Sequence, residues 1–120
     1  WNPIMVRHSA AHRGAEGAVL PQAVAGGTSV LTFNNTCYGR LLKPHAGVNP
    51  PTAADCYRYS LAQPGVTACL SAPATLAQLQ ETLTVVRDPQ LAEDRKQVLM
   101  ACGDVVYEED TVFRKLVRAV

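Results

Sequence analysis

Two histidines four residues apart, His8 and His12, have the spacing in this sequence that comes nearest to metal chemistry. An i, i+4 pair on one helix face can hold a zinc ion, as in the His-Glu-x-x-His motif. His8, however, ends a strand-like run, and the segment lacks the glutamate of that motif. We therefore expect the two rings to point away from a common face. We predict no metal site here and interpret the pair as structural or substrate-loop histidines.

The four cysteines, Cys37, Cys56, Cys69 and Cys102, are spread along the chain without a Cys-x-x-Cys pair. In a secreted domain, four cysteines could form two disulfides. Cys56 and Cys69, however, lie in segments with the character of a helix and of a buried strand, where a free cysteine packs as a small apolar residue. We therefore predict reduced thiols and a cytoplasmic protein.

The composition is that of one ordinary globular domain. Of the 120 residues, 48% are hydrophobic and 18% are charged, and the net charge is +1. Because there is no basic cluster, we expect no binding to nucleic acid or to an anionic membrane surface. The longest apolar runs, about six residues, are too short to span a bilayer. No secretory signal is visible, and a chain that begins with Trp1 suggests to us that an upstream piece was removed.

Three short apolar runs, residues 4–8, 29–34 and 66–70, have the β-branched or aromatic character of strands. None of them alternates cleanly between apolar and polar residues. This pattern favours a parallel sheet that helices cover on at least one face.

Each strand-like run is followed by a segment that predicts a helix, and these helices cover residues 14–25, 52–63 and 75–87. Thr52 is the expected N-cap of the second of them. The third is amphipathic, with an apolar stripe made of Leu76, Leu79, Leu83 and Val86. Asp88-Pro89 predicts the start of a fourth helix, with Asp88 as its N-cap. A fifth helix, residues 110–119, should begin at a cap on Asp110 and bury Val112, Phe113, Leu116 and Val117.

The resulting order, β-α-β-α-β-α-α-α, predicts an α/β fold with parallel strands. Three parallel strands cannot close a barrel, and as an open sheet they expose two edges. We therefore expect a fragment of a larger fold. A complete small flavodoxin-like domain is the competing interpretation, but residues 9–14 hold only one glycine for a phosphate loop. The long loop over residues 40–51, which includes His45, should leave the ligand-binding end of its strand.

Four segments in order carry a family resemblance. Residues 5–16 place Arg13 and Glu16 at the opening of a helix, and residues 30–42 place an aromatic, short polar residues and a Gly-x-Leu turn after a strand. Residues 51–66 and 66–85 add a helix, a Pro-Gly turn, a strand and a last helix. Together they resemble strands six to eight of the aldo/keto reductases, which are NAD(P)H-dependent oxidoreductases built on a TIM (β/α)8 barrel.

The resemblance implies a division of the chain and of its chemistry. Residues 1–87 would be the last three βα units of a partial barrel, and residues 88–120 a C-terminal helical extension. The family's catalytic Asp, Tyr, Lys and His come from the first half of the barrel, so no catalytic residue is expected in this chain. The partners implied are the missing N-terminal half and a small-molecule carbonyl substrate. The isolated chain should be inactive. The alternative is a non-catalytic barrel-derived scaffold that has lost its cofactor.

The resemblance also implies where NADPH or NADH would bind. Phe33 stands where the nicotinamide ring stacks, and Arg7 is the nearest candidate to bind its carboxamide. The remaining polar contacts to the pyrophosphate, ribose and adenosine phosphate fall on Asn34, Asn35, Ser71, Ala72, Gln78, Glu81 and Thr82. His8-Ser9 stand where the family has Tyr-Asn, and two further positions depart from the family pattern. Ala74 replaces an arginine that pairs with the 2′-phosphate of NADP, and Thr82 replaces an asparagine that contacts the adenine.

Overall fold

The computed structural model describes residues 2–44 and 49–119 and shows a mixed α/β fold around a small parallel sheet. The strands are β1 (Ile4–Arg7), β2 (Val30–Phe33) and β3 (Val66–Cys69). They lie in the order β1-β2-β3, with Arg7 opposite Phe33 and an irregularity of register at the start of β2. The three strands predicted from sequence are confirmed. They form an open sheet and not a closed barrel.

Four α-helices follow the order expected for the first three and differ at the fourth. They are α1 (Gly14–Ala25), α2 (Ala53–Leu61), α3 (Leu76–Arg87) and α4 (Glu93–Arg118), and a short 3-10 turn covers Arg40–Leu42. Thr52 caps α2 as predicted. Its hydroxyl accepts from the amide of Asp55, and the Asp55 carboxylate accepts in return from the amide of Thr52. Four residues of the long loop, including His45, lie outside the described residues.

The prediction of separate fourth and fifth helices is wrong. Asp88-Pro89 starts no helix, since α4 begins only at Glu93 after Ala92. Asp110 is not a cap, because α4 runs through it without interruption. The acidic stretch that suggested a helix start has a different role: Glu109 and Asp110 pair with Arg40 from the turn after β2. Tertiary ion pairs, and not a local cap, explain these acids.

The two faces of the sheet differ in what covers them. Successive side chains of a strand point to opposite faces, so the strand register puts Val6, Val30 and Thr32 on one face. Val30 packs there with Leu20 and Ala23 of α1, and Val6 packs against this cluster. Met5, Arg7, Leu31 and Phe33 point to the other face, and neither cluster of buried apolar residues includes any of them. Met5 remains 59% exposed. We call this second side the open face.

The second and larger core lies where α4 crosses the loops that follow β1 and β2. Leu99, Cys102 and Val106 of α4 pack there with Ala10, Ala11, Cys37, Leu41, Cys56 and Tyr59. The approach is closest at Gly103, where a β-carbon would overlap the carbonyl of Ala10. A glycine at this position is therefore what lets the helix lie against the turn after β1.

Two apolar stripes are exposed, one of them predicted to be buried. On α3, the buried apolar residue is Val85, whereas Leu76, Leu79, Leu83 and Val86 are 41–80% exposed. The end of α4 was predicted to bury its apolar residues, and this is wrong. No other described segment covers that end of the helix. Its four apolar residues are therefore exposed: Val112, Phe113, Leu116 and Val117.

The predicted reduced cysteines are confirmed, because all four thiols are free. Across residues 2–44 and 49–119, no helix combines the length and the hydropathy that a membrane span requires.

Candidate functional site

The nine residues predicted to bind a cofactor fall into two groups at the carboxyl ends of the strands. Arg7, Phe33, Asn34 and Asn35 follow or end β1 and β2, and we call them the edge group. Arg7 and Phe33 are register partners on the open face. The other five residues line a separate cleft at the start of α3. The structure brings together the members of each group.

Within the edge group, the two asparagines build the turn after β2. Asn34 has a left-handed backbone with φ of 60°, and its side-chain oxygen accepts from the amide of Tyr38 at 2.8 Å. Asn35 is buried, and its side-chain amide donates to the carbonyl of His8 at 3.2 Å and to Oγ1 of Thr32 at 2.8 Å. Both amide hydrogens of Asn35 are therefore used inside the protein, where they fasten the turn to β1.

Three buried polar atoms of the edge group have no hydrogen-bond partner. They are Nε of Arg7, Nδ2 of Asn34 and Oδ1 of Asn35, and they are the full set of such side-chain atoms among the described residues. A buried polar atom without a partner costs about 1–3 kcal/mol. Each such atom in a native structure calls for an explanation, such as strain, a catalytic role or a bound water or ion. Their concentration at one sheet edge singles this edge out from the rest of the protein.

The second group lines a cleft of about 240 Å³ between the β3–α3 turn and α2, which we call the α3 cleft. Ser71, Ala72, Gln78, Glu81 and Thr82 all contribute to it, together with Thr36, Leu42, Ala53, Tyr57 and Pro73. Thr75 caps α3 by accepting from the amide of Gln78, and the Gln78 side chain accepts from the amide of Ala74 at 2.7 Å. A larger cleft of about 430 Å³, between the end of α2 and the segment before α4, contains none of the predicted residues.

The charge of the α3 cleft is unusual for a phosphate site. Glu81 is the one charged residue among those that line it, and its carboxylate accepts from the amide of Ala54 at 3.2 Å. A carboxylate suits ribose hydroxyls and repels a phosphate. The single charge at the cleft therefore disfavours a phosphate group beside it.

His8 lies in a closed network on the helix-covered side of the sheet. Its Nε2 is 2.9 Å from the Glu16 carboxylate and its Nδ1 is 2.8 Å from the Ser60 hydroxyl. Tyr59 stacks on the ring at 5.6 Å and donates to the same carboxylate at 2.8 Å. Burial and this hydrogen bond raise the pKa of Tyr59 above its ordinary value.

The Glu16–His8–Ser60 chain has the connectivity of a hydrolase triad but not its access. The side chains of His8 and Ser60 are both 0% exposed. A nucleophile must reach its substrate, so this network is structural: it joins the end of β1 to α1 and α2. Sequence reasoning missed Ser60 and Tyr59 because both are 50 or more residues from His8 along the chain.

His12 lies in a different cluster, at the outer end of the loop after β1. Its Nδ1 is 3.7 Å from Sγ of Cys37, and its Nε2 is 3.2 Å from a carboxylate oxygen of Asp110. One guanidinium nitrogen of Arg7 is 3.1 Å and 3.4 Å from the two ring nitrogens. An in-plane position at both distances would collide with the ring carbon between the nitrogens, so Arg7 lies over the ring face.

The electrostatic surroundings keep the His12 ring neutral. Burial, followed by the positive charges of Arg7, Arg114 and Arg40, lowers the pKa of His12 from 6.5 to about 4. The ring therefore keeps a free lone pair at neutral pH. The side chains of His8 and His12 do not meet at one site. Asp110, which contacts His12, belongs to α4 and is distant in sequence, so no local pattern could have shown this contact.

Comparisons with known proteins returned no match: no family model fits the chain, and no curated protein or solved structure shows significant similarity to it.

Proposed function

We propose that this chain forms the last three βα units of an aldo/keto reductase-like barrel and binds a nicotinamide dinucleotide at the carboxyl ends of its strands. The observation that carries the proposal is the set of unpaired buried atoms. Arg7, Asn34 and Asn35 were assigned to the cofactor from sequence alone, and the unpaired atoms fall on the same three residues. Two independent lines of argument thus favour the carboxyl ends of β1 and β2 as the binding site.

The open face supports the barrel half of the proposal. In a closed barrel, Met5, Leu31 and Phe33 would face the packed interior, and the free edges of β1 and β3 would pair with further strands. The exposed stripe of α3 would pack on the next helix of the outer ring. All three uncovered surfaces are therefore explained by a single missing part.

The α3 cleft supports the cofactor half. Five predicted residues from the turn after β3 and from α3 line one cavity. The backbone amides at the start of α3 favour negative charge nearby, while Glu81 favours a ribose with free hydroxyls. Phe33 on the open face offers an aromatic surface for the nicotinamide ring. In this proposal, the substrate is a small carbonyl compound, and the acid–base residues belong to the rest of the barrel.

An NMR titration of the 120-residue chain with NADH and NADPH tests this proposal. We expect saturable shifts in residues 71–82 and in the edge group. Gln78→Ala should weaken binding by about threefold to tenfold, as expected for the loss of one neutral hydrogen bond. Gln97→Ala on α4 is the matched control and should change nothing.

Two outcomes would contradict parts of the proposal. Enzyme-like aldehyde reduction by the 120-residue chain would place the acid–base residues inside it. The absence of saturable shifts with both dinucleotides, in a chain that is folded by its amide spectrum, would favour a non-catalytic scaffold. Two observations favour the scaffold. Both amide hydrogens of Asn35 already have partners inside the protein, and no cationic side chain lines the α3 cleft.

A further inference from the structure

Three side chains with metal-ligating atoms meet at the outer end of the loops after β1 and β2. His12 comes from the first loop, Cys37 from the second and Asp110 from α4. One ligating atom from each lies within 4.8 Å of those of the other two. We propose that these residues form a binding site for a divalent transition-metal ion, with zinc as the first candidate.

The distance between the sulfur and the nitrogen supports this proposal. With Zn–N near 2.0–2.1 Å and Zn–S near 2.3 Å, a tetrahedral ion separates the two ligand atoms by about 3.6 Å. The observed separation of Cys37 Sγ and His12 Nδ1 is 3.7 Å. The carboxylate of Asp110 holds the opposite ring nitrogen at 3.2 Å. While it keeps this contact, Asp110 orients the ring for an ion at Nδ1, and to ligate the ion itself the carboxylate must turn towards Cys37.

The burial of the donors also suits a metal. Cys37 is 1% exposed, so its thiol is poorly placed to attack a substrate although a Cys-His-Asp chain has the connectivity of a nucleophilic triad. A buried thiol with two further donors beside it suits an ion better than an external substrate.

Three arginines oppose the ion and limit its affinity. Arg7 lies over the ring of His12, Arg40 pairs with Asp110, and Arg114 adds a third positive charge. Glu109 also binds Arg40 at 2.9 Å, so this arginine keeps a partner if Asp110 turns to a metal. Deprotonation of Cys37 on binding adds a second negative ligand, which offsets part of the repulsion.

Cobalt titration of the reduced, chelator-treated 120-residue chain tests the site. We expect one ion per chain and the near-ultraviolet charge-transfer absorption of a thiolate–cobalt bond, which zinc should abolish by competition. Cys37→Ser should remove this absorption. Cys69→Ser in β3 is the matched control and should retain it.

Asp110→Asn should weaken cobalt binding by about 10–100-fold, the range for loss of a ligand partner. This variant also decides the question if Cys37→Ser fails to fold, because unchanged affinity in Asp110→Asn would overturn the proposal. So would absorption that survives in folded Cys37→Ser, or the absence of stoichiometric binding by the unsubstituted chain. No nucleotide takes part in these measurements, so their failure leaves the cofactor proposal standing.

Discussion

His8 and His12 are four residues apart, yet they occupy opposite kinds of environment. His8 points to the helix-covered side of the sheet, where both ring nitrogens have partners and a tyrosine ring stacks on it. His12 lies at the strand ends, against a thiol, a carboxylate and a guanidinium that leaves its Nε atom unpaired. One short loop therefore combines two roles: His8 fastens the strand to the helices, and His12 faces the cluster that we propose as a metal site.

The largest loss of stability is expected when His8 is replaced, and replacement of His12 is the comparison. His8→Ala should lower the free energy of unfolding by about 3–4 kcal/mol, because it leaves a cavity and strips partners from Ser60 and Glu16. His12→Ala should cost less, about 1 kcal/mol, because the ring is only partly buried and Asp110 keeps its ion pair with Arg40. Urea unfolding followed by circular dichroism measures both. Equal losses in the two variants would break the distinction between a locking and a binding histidine.

The second effect concerns how α4 reaches the His12 cluster. Gly103→Ala should cost about 2–3 kcal/mol, because the new β-carbon overlaps the carbonyl of Ala10 and pushes the helix away. Gly17→Ala in α1 is the matched control. No atom lies near its added β-carbon, so it should stabilise the chain by about 0.5–1 kcal/mol.

The same pair of variants also distinguishes the two histidines. Withdrawal of α4 moves Asp110 from His12 but leaves Glu16 and Ser60 around His8. We therefore expect imidazole NMR signals of His12 to shift in Gly103→Ala while those of His8 stay in place. A shift confined to His8 would show that α4 supports the other network.

The local elements were predictable from sequence because their signals are local. The three strands, α1 and the Thr52 cap all follow from apolar runs, glycines and caps within a few residues. The continuity of α4 was not predictable in this way. Its acidic stretch resembles a helix start, and only the distant Arg40 shows why these acids lie inside a helix. Tertiary pairing overrode a local pattern.

The same difference between local signals and distant contacts applies to the candidate sites. The cofactor residues were proposed from segments in order, and the structure gathers five of them around the α3 cleft. The His12 cluster was not predictable, because Cys37 and Asp110 are 25 and 98 residues away from His12 and neither spacing is a motif. Convergence of that kind depends on the path of α4 and not on any window of sequence.

The third effect is a pH dependence at the start of α4. Arg95 of α4 binds the Asp55 carboxylate at 2.8 Å and so ties this end of the helix to α2. Burial would raise the pKa of Asp55, but the bonds from Thr52 and Arg95 outweigh it and hold the pKa below its ordinary 3.8. A lowered pKa means that the stabilisation is present above about pH 4 and is lost as the pH falls through the folded value.

Asp55→Asn should therefore cost about 1–2 kcal/mol at neutral pH, for the lost cap and ion pair. The difference from the unsubstituted chain should shrink on acidification towards pH 3. Denaturant unfolding at several pH values measures it. Asp94→Asn, on the exposed first turn of α4, is the control and should change stability by only about 0.3 kcal/mol. A difference that grew in acid would contradict the assigned direction of the pKa.

The smallest effect on stability is expected on the open face of the sheet, and it tests the difference between the covered and open faces. Met5→Thr should change the free energy of unfolding by less than about 0.5 kcal/mol, because Met5 is already largely in solvent. Val30→Thr is the control on the covered face, where the side chain is 0% exposed. There the hydroxyl gains no assured partner, and the loss should be about 1–3 kcal/mol.

In a chain extended by the barrel strands that we propose, Met5→Thr should become as costly as Val30→Thr, because Met5 would then lie in the packed interior. If Met5→Thr stayed harmless in that longer chain, the open face would not be the inside of a barrel.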